Sequence, residues 1–109
     1  MHIADITMFY AARGGGVSTY LNAKARWLAQ RTRIRHTILS PNVSSAEGKT
    51  RSLVAIPSMP FPGLHGYRMP VSVGGTARIL QRLEPDLIEA GDAGPCGWAA
   101  LRVKRRLDV

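Results

Sequence analysis

The chain opens on an almost unbroken run of apolar side chains. Residues 2–9 read HIADITMF, and Asp5 is the only acid among them. A run of this kind is typical of a strand that is buried on both faces of a parallel sheet. We therefore expect a strand over residues 2–9, with Asp5 near one of its ends.

A glycine turn and a helical pattern follow this strand. Residues 11–16 read AARGGG, and consecutive glycines indicate a backbone that adopts unusual angles or lets another group approach closely. From about residue 17, apolar side chains recur at helical spacing and predict one buried arc, made of Val17, Tyr20, Leu21, Trp27 and Leu28. Lys24 falls inside this arc, and we expect its stem to lie on the core while its amine reaches solvent.

The rest of the chain alternates short strands with short helices. The apolar pattern predicts strands over residues 35–40, 53–56 and 86–90, helices over residues 76–83 and 97–107, and loops or turns over residues 41–50, 60–66 and 91–95. This alternation predicts a single α/β domain, a Rossmann-like three-layer arrangement with a mostly parallel sheet. Ligands bind such sheets at the carboxyl ends of the strands.

The glycine turn joins the carboxyl end of a strand to the amino end of a helix. The first N–H groups of a helix lack intrahelical partners and attract phosphate, and Arg13 either adds a full charge there or points to solvent. The turn is not a dinucleotide fingerprint, because Thr19 stands where the third glycine would fall and residues 32–40 contain no acid. It lacks the GK[ST] of a Walker A loop as well. A phosphate-bearing ligand and a tight turn without a ligand both remain open.

An excess of basic residues leaves several classes of partner open. The net charge is +8, which suits a solvated basic surface, nucleic acid, an anionic substrate or an anionic membrane. The basic stretches at residues 31–35 and 104–106 lack the interleaved aromatic residues that stack bases, so no nucleic acid is expected. The one cysteine, Cys96, is expected to be a buried, inert thiol. With no leader or spanning segment visible, we expect a cytoplasmic protein.

Two segments resemble glycosyltransferases of family 4, which have the GT-B fold. Residues 1–29, MHIADITMFYAARGGGVSTYLNAKARWLA, are similar to the family's first strand and Gly-Gly-Val/Ile turn, here Gly15-Gly16-Val17. Residues 85–107, PDLIEAGDAGPCGWAALRVKRRL, resemble a later strand, ligand-facing turn and helix. FPGLHGYRMP, residues 61–70, is similar to a proline-rich stretch of some members. Gly14 stands where many relatives carry a larger residue.

The resemblance implies an architecture and a chemistry. Family members have two Rossmann-like domains around a cleft: the N-terminal domain mainly holds the acceptor, and the C-terminal one mainly holds the nucleotide sugar. They retain anomeric configuration and generally need no metal, and the nucleotide sugar is a substrate rather than a cofactor. The donor diphosphate would meet Gly14, Gly15, Gly16 and Val17. Because the family's N-terminal half is longer than this chain, we expect residues 1–109 to be an incomplete GT-B acceptor-side domain, inactive alone, with the C-terminal domain missing.

Candidate acceptor contacts lie in the segments that face the expected cleft. They are Tyr10, Arg13, Tyr67, Arg68 and Asp92. Asp92 is the best acidic candidate for an acceptor hydroxyl, although aspartate is also a routine turn residue. Glu89 qualifies only if its side chain points to the carboxyl end of its strand. None of His2, His36 and His65 holds the position of the family's cleft histidine, and His36 is expected to be packed within a strand. No catalytic residue and no metal-ligand cluster can be assigned.

Three hypotheses follow. The first is the N-terminal part of a retaining glycosyltransferase that moves a sugar from a nucleotide sugar to a hydroxyl of a sugar, lipid or small-molecule acceptor. The basic surface would permit peripheral association with the inner face of the membrane. The second is a non-catalytic α/β module that binds a phosphate ligand at the same turn. The third, motivated only by the charge, is a basic nucleic-acid-binding domain.

Overall fold

The computed structural model describes residues 1–8, 10, 16–31, 33–41, 46–47, 52–60, 68–91 and 94–107. Its strands are β1 His2–Ile6, β2 Arg35–Ser40, β3 Ala46–Glu47, β4 Ser52–Ala55, β5 Ser58–Pro60, β6 Arg68–Pro70 and β7 Leu87–Ala90. Its helices are α1 Gly16–Ala29, α2 Val73–Arg82 and α3 Pro95–Leu107.

Four of the strands form a parallel sheet in the order β4-β2-β1-β7. The two residues of β3 pair antiparallel with the outer edge of β4, and β5 and β6 form a separate antiparallel pair. All five residues of β1 are buried, as the apolar run predicts for a central strand, whereas β7 is mostly exposed. The carboxyl ends of β1 and β7 therefore meet beside an open edge of the sheet.

Helices cover both faces of the sheet. Successive side chains of a strand point to opposite faces, so Ala4 and Ile6 of β1 share an apolar core with α2 and α3. On the other face Ile38 of β2 packs against Leu21 of α1. Cys96 lies buried in the first of these cores, as predicted. The chain thus has the Rossmann-like α/β fold that the alternation of strands and helices predicts.

Several predicted bounds need correction. The first strand ends at Ile6 rather than at residue 9, and α2 begins at Val73 rather than at residue 76. The earlier start of α2 has a local cause: Ser72 has extended backbone angles, and its Oγ accepts a hydrogen bond from Gly75 N at 3.0 Å, which caps the helix. The predicted loop over residues 41–50 contains the short β3, and Pro60 belongs to β5 rather than to a loop.

The apolar arc of α1 is narrower than predicted. Its buried side chains are Leu21, Ala25 and Leu28, while Tyr20 and Trp27 are each 55% exposed. The helical spacing of apolar residues identifies the buried side of the helix. Tyr20 and Trp27 also fit this spacing, but they lie at the margins of that side and are exposed. No helix within the described ranges is both long and apolar enough to cross a membrane.

Candidate functional site

A pocket lies where β1, β7 and the beginning of α1 meet. It has a volume of about 310 Å³ and opens at the carboxyl ends of the two strands, the place where parallel α/β sheets bind ligands. Its walls come from three segments of the chain, namely residues 5–7, residues 20–21, and Glu89 with Gly91.

Two carboxylates, those of Asp5 and Glu89, line the pocket although β1 is buried. Asp5 and Glu89 are neighbours in the register of β1 and β7, so their side chains point to the same face of the sheet. Lys24 of α1 reaches between them, and its Nζ donates to Asp5 Oδ1 at 3.0 Å and to Glu89 Oε2 at 2.5 Å. Burial alone would lower the pKa of Lys24, but the hydrogen bonds to Glu89 and Asp5 outweigh it and raise that pKa. Lys24 is therefore a fixed cation that ties α1 to both strands.

The second oxygen of Asp5 is held by a histidine. His36 Nε2 lies 2.6 Å from Asp5 Oδ2, and both side chains are buried. A carboxylate only accepts hydrogen bonds, so Nε2 carries the proton and donates it to Asp5. The other ring nitrogen, Nδ1, is buried and has no hydrogen-bond partner among the described residues. His36 is thus the packed strand histidine that the sequence predicts.

The strand ends approach each other closely at one side of the pocket. Gly91 N donates to Ile6 O at 2.8 Å, which extends the contact between the two strands past the end of β7. A Cβ atom at residue 91 would lie 2.8 Å from both Cβ and Oγ1 of Thr7. Only glycine can occupy this position without displacing Thr7.

Comparison with known proteins gives a family but no individual relative. Residues 14–109 match the family model described as Glycosyltransferase Family 4. The chain belongs to glycosyltransferase family 4. No curated protein and no solved structure matches it. The match begins at the glycine turn and runs through α3, so it includes most of the pocket's walls.

In this family 4 chain, two of the predicted donor residues, Gly16 and Val17, are the first residues of α1. The helix begins at Gly16 and continues through Val17, while Gly14 and Gly15 lie outside the described residues. The side chain of Tyr20, one turn further along, lines the pocket, so the helix start lies beside it. Contact with a diphosphate at these residues stays a prediction.

The predicted acceptor residues do not gather at one place. Tyr10 is 1% exposed, and its hydroxyl donates to Asn22 Oδ1 at 2.8 Å, a contact that holds α1 against the sheet. Arg68 is half-buried on β6 and donates through Nε to Ser58 Oγ at 2.7 Å and through an Nη to Ser58 O at 3.0 Å. Their role in acceptor binding stays a prediction that these contacts do not favour. Arg13, Tyr67 and Asp92 lie outside the described residues.

Sequence reasoning assigned neither Asp5, which lines the pocket, nor Lys24, which pairs with it, to a site, and it considered Glu89 only conditionally. A usable signal was present: a lone acid interrupts an apolar strand, and a lone lysine interrupts an apolar helix face. Charges of opposite sign at two buried positions predict a pair, because an unpaired buried charge is costly. Among the described residues, no three His, Cys, Asp or Glu side chains are arranged to hold a metal ion.

Proposed function

We propose that this chain forms the acceptor-side domain of a retaining GT-B glycosyltransferase. The enzyme would transfer a sugar from a nucleotide sugar to a hydroxyl of a sugar, lipid or small-molecule acceptor in the cytoplasm, using no cofactor. Membership of glycosyltransferase family 4 supports the general activity. The observation that carries the site is the pocket at the carboxyl ends of β1 and β7, beside the start of α1.

The start of α1 suits a diphosphate for electrostatic reasons. Departure of the nucleoside diphosphate breaks the bond from the anomeric carbon to phosphate oxygen and leaves negative charge on that oxygen. Backbone N–H groups at a helix start, together with the helix dipole, stabilise such charge when they are held in place beforehand. Lys24 provides this rigidity, since it anchors the third turn of α1 to Asp5 and Glu89.

The acceptor hydroxyl would approach from the open side of the pocket. Its oxygen forms the new bond to the anomeric carbon, its proton leaves with the diphosphate, and the configuration of the sugar is retained. Glu89 has a side chain 48% exposed at this side and could orient a hydroxyl. In this proposal the second wall of the cleft, with most contacts to the donor, comes from a C-terminal domain, so the 109-residue chain alone should give no turnover.

The test compares the complete translation product of the gene with the 109-residue chain. Each is incubated with labelled nucleoside diphosphate sugars and a panel of acceptors, and the anomeric configuration of any product is read by NMR. We expect transfer with retention by the complete product only. Turnover by the 109-residue chain would contradict its proposed inactivity, and absence of transfer by the complete product would overturn the proposed function.

A matched pair of glycine substitutions tests the turn. Gly15→Ala should lower turnover by about tenfold or more, because we expect a Cβ in the predicted glycine turn to keep the diphosphate from the N–H groups of α1. Gly75→Ala is the control at the start of α2, where a Cβ would be 3.6 Å from the nearest atoms of Ser72. Equal effects of the two substitutions would contradict a role for the turn.

A gene that ends at codon 109, with a product that binds a phosphate ligand but does not transfer sugar, would favour the non-catalytic module.

A further inference from the structure

We propose that the turn between α1 and β2 is a docking surface for an anionic membrane. The surface is formed by Met1, Trp27, Arg31, Arg33 and Arg35, which we call the Trp27 corner. It lies at the amino ends of β1 and β2, whereas the candidate site lies at the carboxyl ends of β1 and β7. The proposal therefore concerns a different part of the molecule from the proposed transfer site.

Direct contacts hold the residues of the Trp27 corner in two neighbouring groups. The guanidinium of Arg31 stacks 3.2 Å from the ring centroid of Trp27, and its Nη1 donates to Trp27 O at 2.9 Å. The α-amino group of Met1 donates to Arg33 O at 2.9 Å, and Arg35 N donates to Met1 O at 2.8 Å. Ile34 N donates to Arg31 O at 3.3 Å, so the turn after α1 links the two groups, which come from Met1 and from the stretch between Trp27 and Arg35.

The apolar groups of the corner point to solvent. Trp27 is 55% exposed and Met1 is 61% exposed. The helix already has a complete buried stripe in Leu21, Ala25 and Leu28, so the core does not require an indole at residue 27. An indole with one apolar side and one polar edge, next to arginines, is the chemistry that anchors proteins at a membrane interface.

The charge of the corner is complementary to anionic lipid. Arg31, Arg33 and Arg35 are exposed, and none of them forms an ion pair with a carboxylate of the described residues. One acid lies close by: Asp86, whose Oδ2 accepts the backbone N–H of His2 at 2.7 Å. Among the residues described at this corner, three arginines against one acid leave a positive surface, and basic residues near an anionic leaflet each add to binding.

The arrangement of the aromatic residue favours lipid over nucleic acid. Single-strand binders offer several open aromatic faces on which successive bases stack. The corner has one aromatic residue, and Arg31 covers a face of its ring. At a bilayer the same pair works together, because the indole enters the interface while the guanidinium meets lipid phosphate.

Docking at this corner would leave the proposed site accessible. The five residues of β1 separate the corner from the pocket by about 15 Å at the usual rise of a strand. An acceptor and a nucleotide sugar could therefore reach the pocket from the aqueous side while the corner rests on the bilayer. This step rests on the proposed function, whereas the binding itself does not.

Tryptophan fluorescence tests the proposal directly. Trp98 on α3, which is 62% exposed, is changed by Trp98→Phe so that Trp27 is the only indole. The chain is mixed with vesicles of phosphatidylcholine alone, or of an equal mixture of phosphatidylcholine and phosphatidylglycerol. We expect a blue shift of Trp27 emission and co-sedimentation with the anionic vesicles only, both lost in high salt. No co-sedimentation, or co-sedimentation without a shift, would overturn the proposal.

Charge variants locate the surface. The double variant Arg33→Gln with Arg35→Gln should weaken binding to anionic vesicles roughly 25-fold, since each basic residue contributes about fivefold. The control is Arg78→Gln with Arg102→Gln, two exposed arginines on the helices of the opposite sheet face. Equal losses for both pairs would contradict a localised surface. Binding of the chain to duplex DNA but not to vesicles would replace the proposal with the nucleic-acid hypothesis. Circular dichroism of each variant checks that it folds.

Discussion

Asp5 is a buried carboxylate on the central strand, and its two oxygens accept from Lys24 and from His36. Its side chain is 4% exposed and that of Lys24 is 16% exposed. A charge taken out of water at this depth is tolerated when its partners replace the lost hydration. The pairing explains why two charged residues occupy positions that the apolar pattern reserves for the core.

Replacing the lysine by an apolar residue of similar length should be costly. Lys24→Met leaves the buried carboxylate of Asp5 without its cation, and we expect a loss of about 3 kcal/mol in the free energy of unfolding. Urea unfolding of the 109-residue chain, followed by circular dichroism, measures this loss.

The other carboxylate of the pair provides the control. Glu89 is 48% exposed at its side chain, so water can replace Lys24 there. Glu89→Gln should therefore cost less than about 1 kcal/mol. If the two variants lost equal stability, Asp5 would not depend on Lys24 in the way that its burial implies.

The sequence indicates that Lys24 lies on the buried side of α1 but not what it meets there. Its amine meets Asp5 and Glu89, which lie 19 and 65 residues away along the chain and come to Lys24 only in the folded sheet. Hydrophobic periodicity reports which side of a helix is buried. It does not report which strands lie beneath that side.

Helices and strands with a strong local signal were predictable. The observed β2, Arg35–Ser40, has the predicted bounds, and α1 begins within one residue of the prediction. The β5 and β6 pair was not predictable, since each strand has three residues and the signal in this region is dominated by proline and glycine. Such short strands are held by their pairing rather than by local preference.

The end of α2 contains a residue in an unfavourable conformation. Glu84 has φ of 48°, the one positive value for a non-glycine residue in the described ranges. It follows Leu83, which ends the helix, and its N–H donates to Gln81 O at 3.0 Å. A left-handed residue is a common way to end a helix, and glycine adopts it without the steric cost of a Cβ.

Glu84→Gly should therefore stabilise the chain. Glycine removes the steric cost of the left-handed conformation, and this gain exceeds the entropic cost of a more flexible unfolded chain. We therefore expect the free energy of unfolding to rise by about 0.5 to 1 kcal/mol. The melting temperature and urea midpoint measure this gain. Glu84→Ala removes the same side chain but keeps the Cβ, so it should give no gain. A gain of equal size from alanine would show that the carboxylate, rather than the backbone, is responsible.

The sheet brings together residues that are far apart in the sequence. Its parallel order places the carboxyl ends of β1 and β7 side by side although more than eighty residues separate them. This is why the location of the candidate site was predictable from the alternation of strands and helices, while the meeting of Glu89 with Asp5 and Lys24 was not. The predicted acceptor residues were chosen by position in loops, and loop position alone does not say whether a side chain such as Tyr10 turns inward.

The same sheet makes stability depend on pH through His2. Its ring is buried between β2 and the end of α2: Nδ1 lies 2.9 Å from Leu83 O, and Nε2 lies 2.7 Å from Thr37 Oγ1. A neutral ring satisfies both contacts when Nδ1 donates and Nε2 accepts. Burial lowers the pKa of His2 below its ordinary value of 6.5, although the hydrogen bond to Leu83 opposes the shift. The folded chain therefore resists protonation at this position.

A depressed histidine pKa makes acid destabilising. At a pH above the pKa of His2 in the unfolded chain, His2 is neutral in both the folded and the unfolded state. Below that pKa the unfolded chain binds a proton that the folded chain does not. The free energy of unfolding therefore falls as the pH drops through the pKa of His2 in the folded chain. Urea midpoints should decline as the pH falls below the ordinary histidine pKa of 6.5, and the decline should be smaller for His2→Gln, because the amide does not titrate. His36 and His65 are present in both chains, so their contributions cancel in the difference. Parallel profiles for the two chains would mean that the acid sensitivity arises elsewhere than in this link between β1, β2 and α2.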